Sequence, residues 1–304
     1  MSVTLIDLSN ALAQVTNQIA LAAVAVHAEA RGSSTGVIWG PGVIVTAEHA
    51  LRHDEEIQLT LPDGRVVPAS LAGRDPSTDL AVLNCREATA SPVETTDASA
   101  VKPGALALVV GRTRASGPVV AFGVVSLVAS ERKTWTGAAL APYIRLDLTV
   151  QPIAVGGAAV DAHGKVFGIA TPRFARFGAI AVPTATVNRV VGIILQKGRI
   201  PRGYLGVGLQ SVRLPEALRQ SLQRAEKTAA IVLEVEAESP AHKAGIVIGD
   251  ILVSLEGKPV AHPEDVQSHL PIENIGKTLS AKIVRGGAAQ NLNIVVSERE
   301  HKGE

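Results

Sequence analysis

The 304-residue sequence is poor in aromatic residues (3%), holds a single cysteine and favours neither sign of charge. Each shortage excludes something. With 29 basic residues against 28 acidic ones, the net charge of +1 gives no electrostatic case for nucleic acid or an anionic membrane as partner. The one cysteine, Cys85, cannot form an internal disulfide, so the fold does not depend on an oxidising compartment. Its place at the end of an apolar run (Ala81-Val-Leu-Asn-Cys85) predicts a small buried hydrophobe, not a reactive thiol. Long apolar runs are missing too. Residues 19–26 form an apolar stretch far too short to span a bilayer. Residues 1–17 lack the positive segment that precedes the apolar core of an export signal. On that ground the cytoplasm is favoured over the alternative, a periplasmic or secreted protein with its leader removed.

With aromatics scarce, Val, Ile, Leu and Ala must build the core. From residue 20 onward short apolar runs alternate with Gly, Pro, Asn and Asp turns. Strands are predicted at residues 20–27, 36–39, 42–46, 57–61, 66–73, 80–83, 105–110, 119–128, 143–148, 166–171 and 179–182. Many short strands at this spacing predict a mainly β fold, a barrel or a sandwich. Helical spacing appears at residues 9–19, with Ser9 as a candidate cap, and at residues 184–196. The basic, Gly/Pro-punctuated segment 197–203 is the expected linker between a domain at 1–196 and another at 204–298. The second holds strands at 204–209, 230–235, 251–255, 279–284 and 292–296, with short helices near 241–244 and 263–270.

Three positions carry the chemistry. His49 follows the strand-like run Val43-Ile-Val-Thr-Ala. Asp79 closes a polar turn just before Leu80-Ala-Val-Leu83. A glycine pair, Gly156-Gly157, sits in a loop after residue 150. Singly, a histidine or aspartate at a strand end is usually a turn or capping residue. In the order His, Asp, Gly-Gly they follow the chain order of chymotrypsin-type peptidases, in which a histidine takes the proton of a serine and an aspartate holds the histidine's tautomer.

The flanking residues resemble those of the HtrA/Deg family over nearly the whole chain. Val45-Thr-Ala-Glu-His49 is similar to its LTNNHV, and Asp75-Pro-Ser-Thr-Asp79-Leu-Ala-Val-Leu83 to its DPRTDLAVL. Phe122-Gly-Val-Val-Ser126 is similar to SGIVS, and Lys165-Val-Phe-Gly-Ile-Ala-Thr171 to ELIGINT. Residues 143–157 align without a gap to FIQTDAAINPGNSGG. The resemblance implies a trypsin-like double β-barrel followed by a C-terminal PDZ domain. It assigns His49 as base and Asp79 as orienting acid, and it puts Val155 where the family has its serine. Ile153 stands at the glycine of the oxyanion loop, Ala154 at the asparagine and Ala158 at the proline, while Gly156 is kept. Valine carries no nucleophile, and a β-branched side chain resists the backbone such loops use. Several changes in one loop point to natural loss of catalysis, so a pseudo-peptidase is expected. The alternatives are a serine endopeptidase with an unusual or engineered site, and a structural assembly subunit.

His49 and His53 lie four apart, a spacing that suits a metal on one helix face, but no third ligand is near in sequence. No metal and no cofactor are expected. Residues 111–117, with Arg112 and Arg114, read as a solvated turn or a site for an acidic partner, the former favoured. In the second domain Gly203-Tyr-Leu-Gly-Val-Gly208 resembles the carboxylate-binding loop of an HtrA PDZ domain, and residues 239–252 resemble SPAAKAGLKAGDVI. The resemblance assigns peptide binding to Tyr204, Leu205, Gly206, Val207, Leu209, Val266, His269 and Leu270, with the ligand adding as a strand. The expected partners are peptide or protein C-termini, unfolded proteins or an active relative. Family members are commonly trimers through N-terminal aromatics, which residues 1–20 lack, so a homo-oligomer is possible and a trimer unsupported.

Overall fold

The computed structural model describes residues 4–28, 32–51, 57–115, 117–134 and 139–298. His53 and residues 135–138 of the 128–140 loop lie outside these. The chain divides into two compact units, one reaching to Ile200 and the other starting at Pro201.

The first unit opens with helix α1 (Leu5–Ala20). Its cap is Thr4, not Ser9: the Thr4 side chain accepts from the Asp7 N–H and Asp7 bonds back to the Thr4 N–H. The helix therefore starts a turn earlier than its apolar spacing suggested, because a reciprocal capping box satisfies two donors at once. Val15 and Ile19 are buried in the core.

Strands β1 (Ala23–Ala28), β2 (Gly32–Gly40), β3 (Val43–Ala47), β4 (Ile57–Thr60), β5 (Val66–Asp75) and β6 (Leu80–Asn84) close a first barrel in the order β1-β2-β3-β6-β5-β4. Strands β7 (Leu106–Thr113) and β8 (Gly117–Ala129) lead into a two-stranded ribbon, β9 (Arg132–Lys133) with β10 (Ala139–Leu140). Then come β11 (Tyr143–Asp147), β12 (Ala158–Val160), β13 (Val166–Thr171) and β14 (Ala179–Pro183). The second barrel closes as β11-β14-β13-β12-β7-β8. Closure removes exposed strand edges, and small residues allow it where aromatics are few. Strand β12 escaped the sequence reading because Ala-Ala-Val is too short to show a period.

Helix α2 (Thr184–Lys197) follows, buries Val187, Val190 and Ile194, and ends on Gly198 in the left-handed region. Arg112, on β7, is no solvated turn residue. Its guanidinium donates to the Ala20 carbonyl at 3.2 Å and the Pro62 carbonyl at 2.7 Å, and burial pushes its pKa down, with Asp63 opposing.

The second unit holds β15 (Gly203–Tyr204), β16 (Val207–Arg213), α3 (Glu216–Ser221), β17 (Thr228–Val235), α4 (Pro240–Lys243), β18 (Ile251–Leu255), β19 (Lys258–Pro259), α5 (Pro263–Gln267), β20 (Thr278–Arg285), β21 (Ala288–Val295) and β22 (Ser297–Glu298). The main sheet runs β16-β17-β18-β20-β21, so β16 is an edge strand. The predicted strand 204–209 is interrupted because Gly206 takes φ +77°. The architecture is mainly β: two closed six-stranded barrels in the first unit and an open sheet with short helices in the second.

Candidate functional site

His49 and Asp79 meet because of strand register. Strand β3 pairs antiparallel with β6, and Ala47 lies opposite Leu80. The residues just past the end of β3 and just before the start of β6 are thus neighbours. His49 rides on a single 3-10 turn, Glu48–Ala50. Asp79 adopts φ +59°, a left-handed backbone that Asp tolerates better than most residues. Its carbonyl accepts from the Glu48 N–H at 3.1 Å.

The two side chains are tightly engaged. His49 Nδ1 lies 2.7 Å from Asp79 Oδ2 and 2.9 Å from Oδ1, and the His49 backbone N–H donates to Oδ1 at 3.0 Å. A carboxylate only accepts here, so Nδ1 carries the proton and Nε2 is the basic nitrogen. The Asp79 side chain is fully buried. Thr171, at the end of β13, donates its hydroxyl to Asp79 Oδ2 and accepts from the Arg173 N–H at 3.1 Å. Arg173 Nη1 lies 3.1 Å from Glu48 Oε2 and 3.6 Å from Asp79 Oδ1, while Arg74 Nη1 lies 3.7 Å from Glu48 Oε1. Thr171, Glu48, Arg74 and Arg173 were not singled out in the sequence. Their partners are mostly far away in the chain, and the only local signal was Thr171 at the end of a motif that resembled the family's.

The glycine loop reaches the same place. The Gly156 N–H donates to the Ala170 carbonyl at 3.0 Å, next to Thr171. Gly156 has φ +81°, and a Cβ there would stand 2.4 Å from the Thr35 carbonyl oxygen and 2.7 Å from the Ala47 nitrogen. Only glycine lets the loop lie so close to the end of β3. Gly156 thus lies against the end of β3 that leads to His49, and its neighbour Val155 is buried at 6% exposure.

The backbone before it is coiled shut. Pro152–Ala154 form a 3-10 turn in which the Val155 N–H donates to the Pro152 carbonyl at 3.2 Å and the Ala154 N–H to the Gln151 carbonyl at 2.8 Å. Thr35 clamps this turn: its N–H donates to the Val155 carbonyl at 2.9 Å and its hydroxyl to the Ile153 carbonyl at 2.6 Å. The Thr35 hydroxyl in turn accepts from the Arg112 N–H at 2.9 Å. So Ile153, Ala154, Val155 and Gly156 form one clamped turn, within which the Val155 N–H is bonded to the Pro152 carbonyl. The neighbouring hydroxyls of Thr35, Thr46 and Thr171 are each bonded to a carbonyl or to Asp79. Among the described residues no cluster of His, Cys, Asp or Glu has the make-up of a metal site.

In the second unit the loop from Gly203 to Val207 is anchored on three sides. The Gly203 N–H donates to the Leu270 carbonyl at 3.0 Å, the Leu205 carbonyl accepts from Ala241 at 2.9 Å, and the Gly206 carbonyl accepts from Glu236 at 2.9 Å. The Tyr204 phenol donates to the Glu236 carboxylate. No hydrogen bond among the described residues uses the N–H of Leu205 or Gly206. Helix α5 flanks β16, and Ser211 Oγ lies 3.0 Å from His262 Nδ1 at its cap. Val207, Leu209 and Leu270 are half-buried at the margin of the core. Leu205 and Val266 have their side chains fully inside it, and His269 is buried as well.

Two family profiles match the chain: a trypsin-like peptidase domain over residues 34–169 and a PDZ domain over residues 203–296. A probable periplasmic serine endoprotease DegP-like of Brucella suis is 32% identical over 271 residues, 86% of this chain and 51% of that protein. A protein of the same name from Pseudomonas putida is 28% identical over 274 residues, covering 88% of this chain and 56% of that protein. This chain belongs with the HtrA/DegP proteins. It spans about half the length of these curated relatives. Among solved structures, the serine endoprotease from Yersinia pestis superposes with a TM-score of 0.70 at 25% identity, covering 95% of this chain and 98% of that one. An HtrA-type protease AlgW with a decapeptide gives 0.72 at 24% identity over 95% of this chain and 98% of that one, a likeness of fold.

The cytoplasmic expectation is overturned by these relatives, which are named periplasmic. That expectation rested on residues 1–17, and a leader sequence is cleaved from exported proteins, so the start of a chain says little about its compartment.

Proposed function

We propose that this chain is a peptide-binding HtrA/DegP-like protein whose peptidase domain is silent. It works by holding peptides, unfolded proteins or an active relative through its PDZ domain, in the periplasm. One observation carries the reading: residue 155, where the family has its serine, is a buried valine whose own N–H is bonded to the Pro152 carbonyl. The loop therefore offers no nucleophile at residue 155, and that residue's N–H is already taken. Losing the nucleophile alone costs on the order of 10^6 in turnover. The free Leu205 and Gly206 N–H groups beside edge strand β16 suit a C-terminal carboxylate and an added strand.

A second reading, a serine endopeptidase using another nucleophile, is favoured by the names of the relatives and by the fully assembled His49–Asp79–Thr171 arrangement. Hydrolysis of an unfolded casein substrate separates the two. The silent reading expects the chain and His49→Ala to be equally inert. Cleavage by the chain that His49→Ala abolishes overturns it and establishes the second.

A further inference from the structure

The first barrel holds another histidine set against a serine. His27 lies in β1, directly opposite Ser33 of β2, with β4 on its other side. Its Nδ1 is 2.9 Å from Ser33 Oγ and its Nε2 is 2.8 Å from Thr60 Oγ1. Strand register brings the three together. Thr60 lies opposite Ala25, two residues from His27 and on the same face of the sheet, where the small alanine lets the ring reach across.

No other hydrogen bond among the described residues engages the Ser33 or Thr60 hydroxyl. Those of Thr35, Thr46 and Thr171, by contrast, are committed to a carbonyl or a carboxylate. Thr60 is buried at 4% exposure, whereas Ser33 and His27 are half-buried, so a small reagent can reach the serine. Burial, with the Arg114 cation, holds the His27 imidazole below its ordinary value of 6.5, so the ring is neutral at pH 7. With Nε2–H donating to Thr60, Nδ1 is left to accept from Ser33. Once Nδ1 takes the serine proton, both ring N–H groups still have a hydroxyl oxygen to donate to. Nucleophile, base and orienting group thus stand in hydrogen-bonded sequence.

We propose that Ser33 is a nucleophile, with His27 as its general base and Thr60 as a positioning residue, and that this trio hydrolyses small esters with good leaving groups. Ser33 Oγ attacks the ester carbonyl as its proton passes to Nδ1. The carbon–oxygen bond to the leaving group breaks, and the proton departs with the alcohol. Water then attacks the acyl-serine, gives a proton to Nδ1, and that proton returns to Oγ as the acid is released. A phenolate leaves without being protonated, so such an ester asks less of the site than a peptide bond does. The Arg114 cation that the ring feels also favours the oxyanion formed on attack. None of these groups belongs to the His49–Asp79 pair or to the 152–157 loop, so the activity is independent of a silent peptidase site.

The test treats the whole chain with a fluorophosphonate, locates the adduct by peptide mass spectrometry, and follows turnover of p-nitrophenyl acetate. The adduct is expected on Ser33, with fluoride displaced and the serine proton taken by His27. Ser33→Ala should remove adduct and ester turnover together. His27→Gln keeps a hydrogen-bonding group of similar size and should slow labelling about 10^2-fold, the low end of what a general base supplies. Thr60→Val should slow it about fivefold, as for one hydrogen bond, and Thr60→Ser should restore it. A chain that takes no adduct at Ser33 overturns the proposal, however the variants fold. So does His27→Gln labelling as fast as the unaltered chain, or Ser33→Ala keeping its ester turnover. Equal slowing in Thr60→Val and Thr60→Ser overturns the positioning role of Thr60.

Discussion

Restoring the missing hydroxyl by Val155→Ser is the direct way to ask what else the loop has lost, and the structure says that the hydroxyl alone is insufficient. An oxyanion donor at residue 155 requires the Val155 N–H to leave the Pro152 carbonyl, a 3.2 Å bond. The Ile153 peptide must swing with it and release the Thr35 hydroxyl, a 2.6 Å bond. Each hydrogen bond is worth about 1 kcal/mol net. Carrying Ile153 into the left-handed region adds about 1–2 kcal/mol. The open loop then lies about 3–4 kcal/mol above the closed one, a population of roughly one in 10^2 to 10^3. We expect Val155→Ser to label with a fluorophosphonate and cleave casein at rates near background. Adding Ile153→Gly removes most of the backbone penalty and should raise both rates about tenfold. Adding Thr35→Val should give a further few-fold. The reasoning is refuted if Val155→Ser by itself labels and cleaves as fast as the double variant, because the closed turn would then not be what holds the site back.

Thr171→Val strips the buried Asp79 carboxylate of a donor while Arg173 stays nearby, and should lower global stability by about 1–3 kcal/mol in urea unfolding. Gly206→Ala places a Cβ 2.2 Å from Ser239 Cβ at φ +77°, and should abolish peptide binding read by fluorescence polarisation with the barrels still folded by calorimetry. Burial would raise the Asp250 carboxyl, but the bonds from Arg285 and the Val247 N–H outweigh it and hold the pKa below its ordinary value of 3.8. A depressed folded pKa stabilises above the unfolded value and is lost as pH falls through the folded one. Asp250→Asn should therefore destabilise the second unit at pH 7, and the gap to the unaltered chain should close on acidification below about pH 3.8, measured by thermal melts across pH.

The double-barrel plan and the PDZ unit were legible because runs of Val, Ile and Ala bounded by Gly and Asp turns report strands directly, and because the motifs around His49, Asp79 and Gly156 are long. The start of α1 was misread since apolar spacing sees the buried face, whereas Thr4 and Asp7 fix the end through hydrogen bonds. In the site, order along the chain revealed His49 and Asp79. It could not reveal Thr35, whose hydroxyl links Ile153 and Arg112 across 118 and 77 residues of separation. Nor could it reveal that Arg112 reaches two backbone carbonyls, because a long side chain in a polar turn looks the same in sequence whether it is solvated or committed.

That commitment of Arg112 has a consequence for how the first unit can be taken apart. The cation sits on the second barrel, and its two oxygens come from the end of α1 and from the β4–β5 turn of the first barrel. Either barrel produced alone would leave this arginine without its carbonyls or those carbonyls without their donor. A half-length fragment should accordingly be insoluble or unfolded, and the halves should recover structure only when mixed.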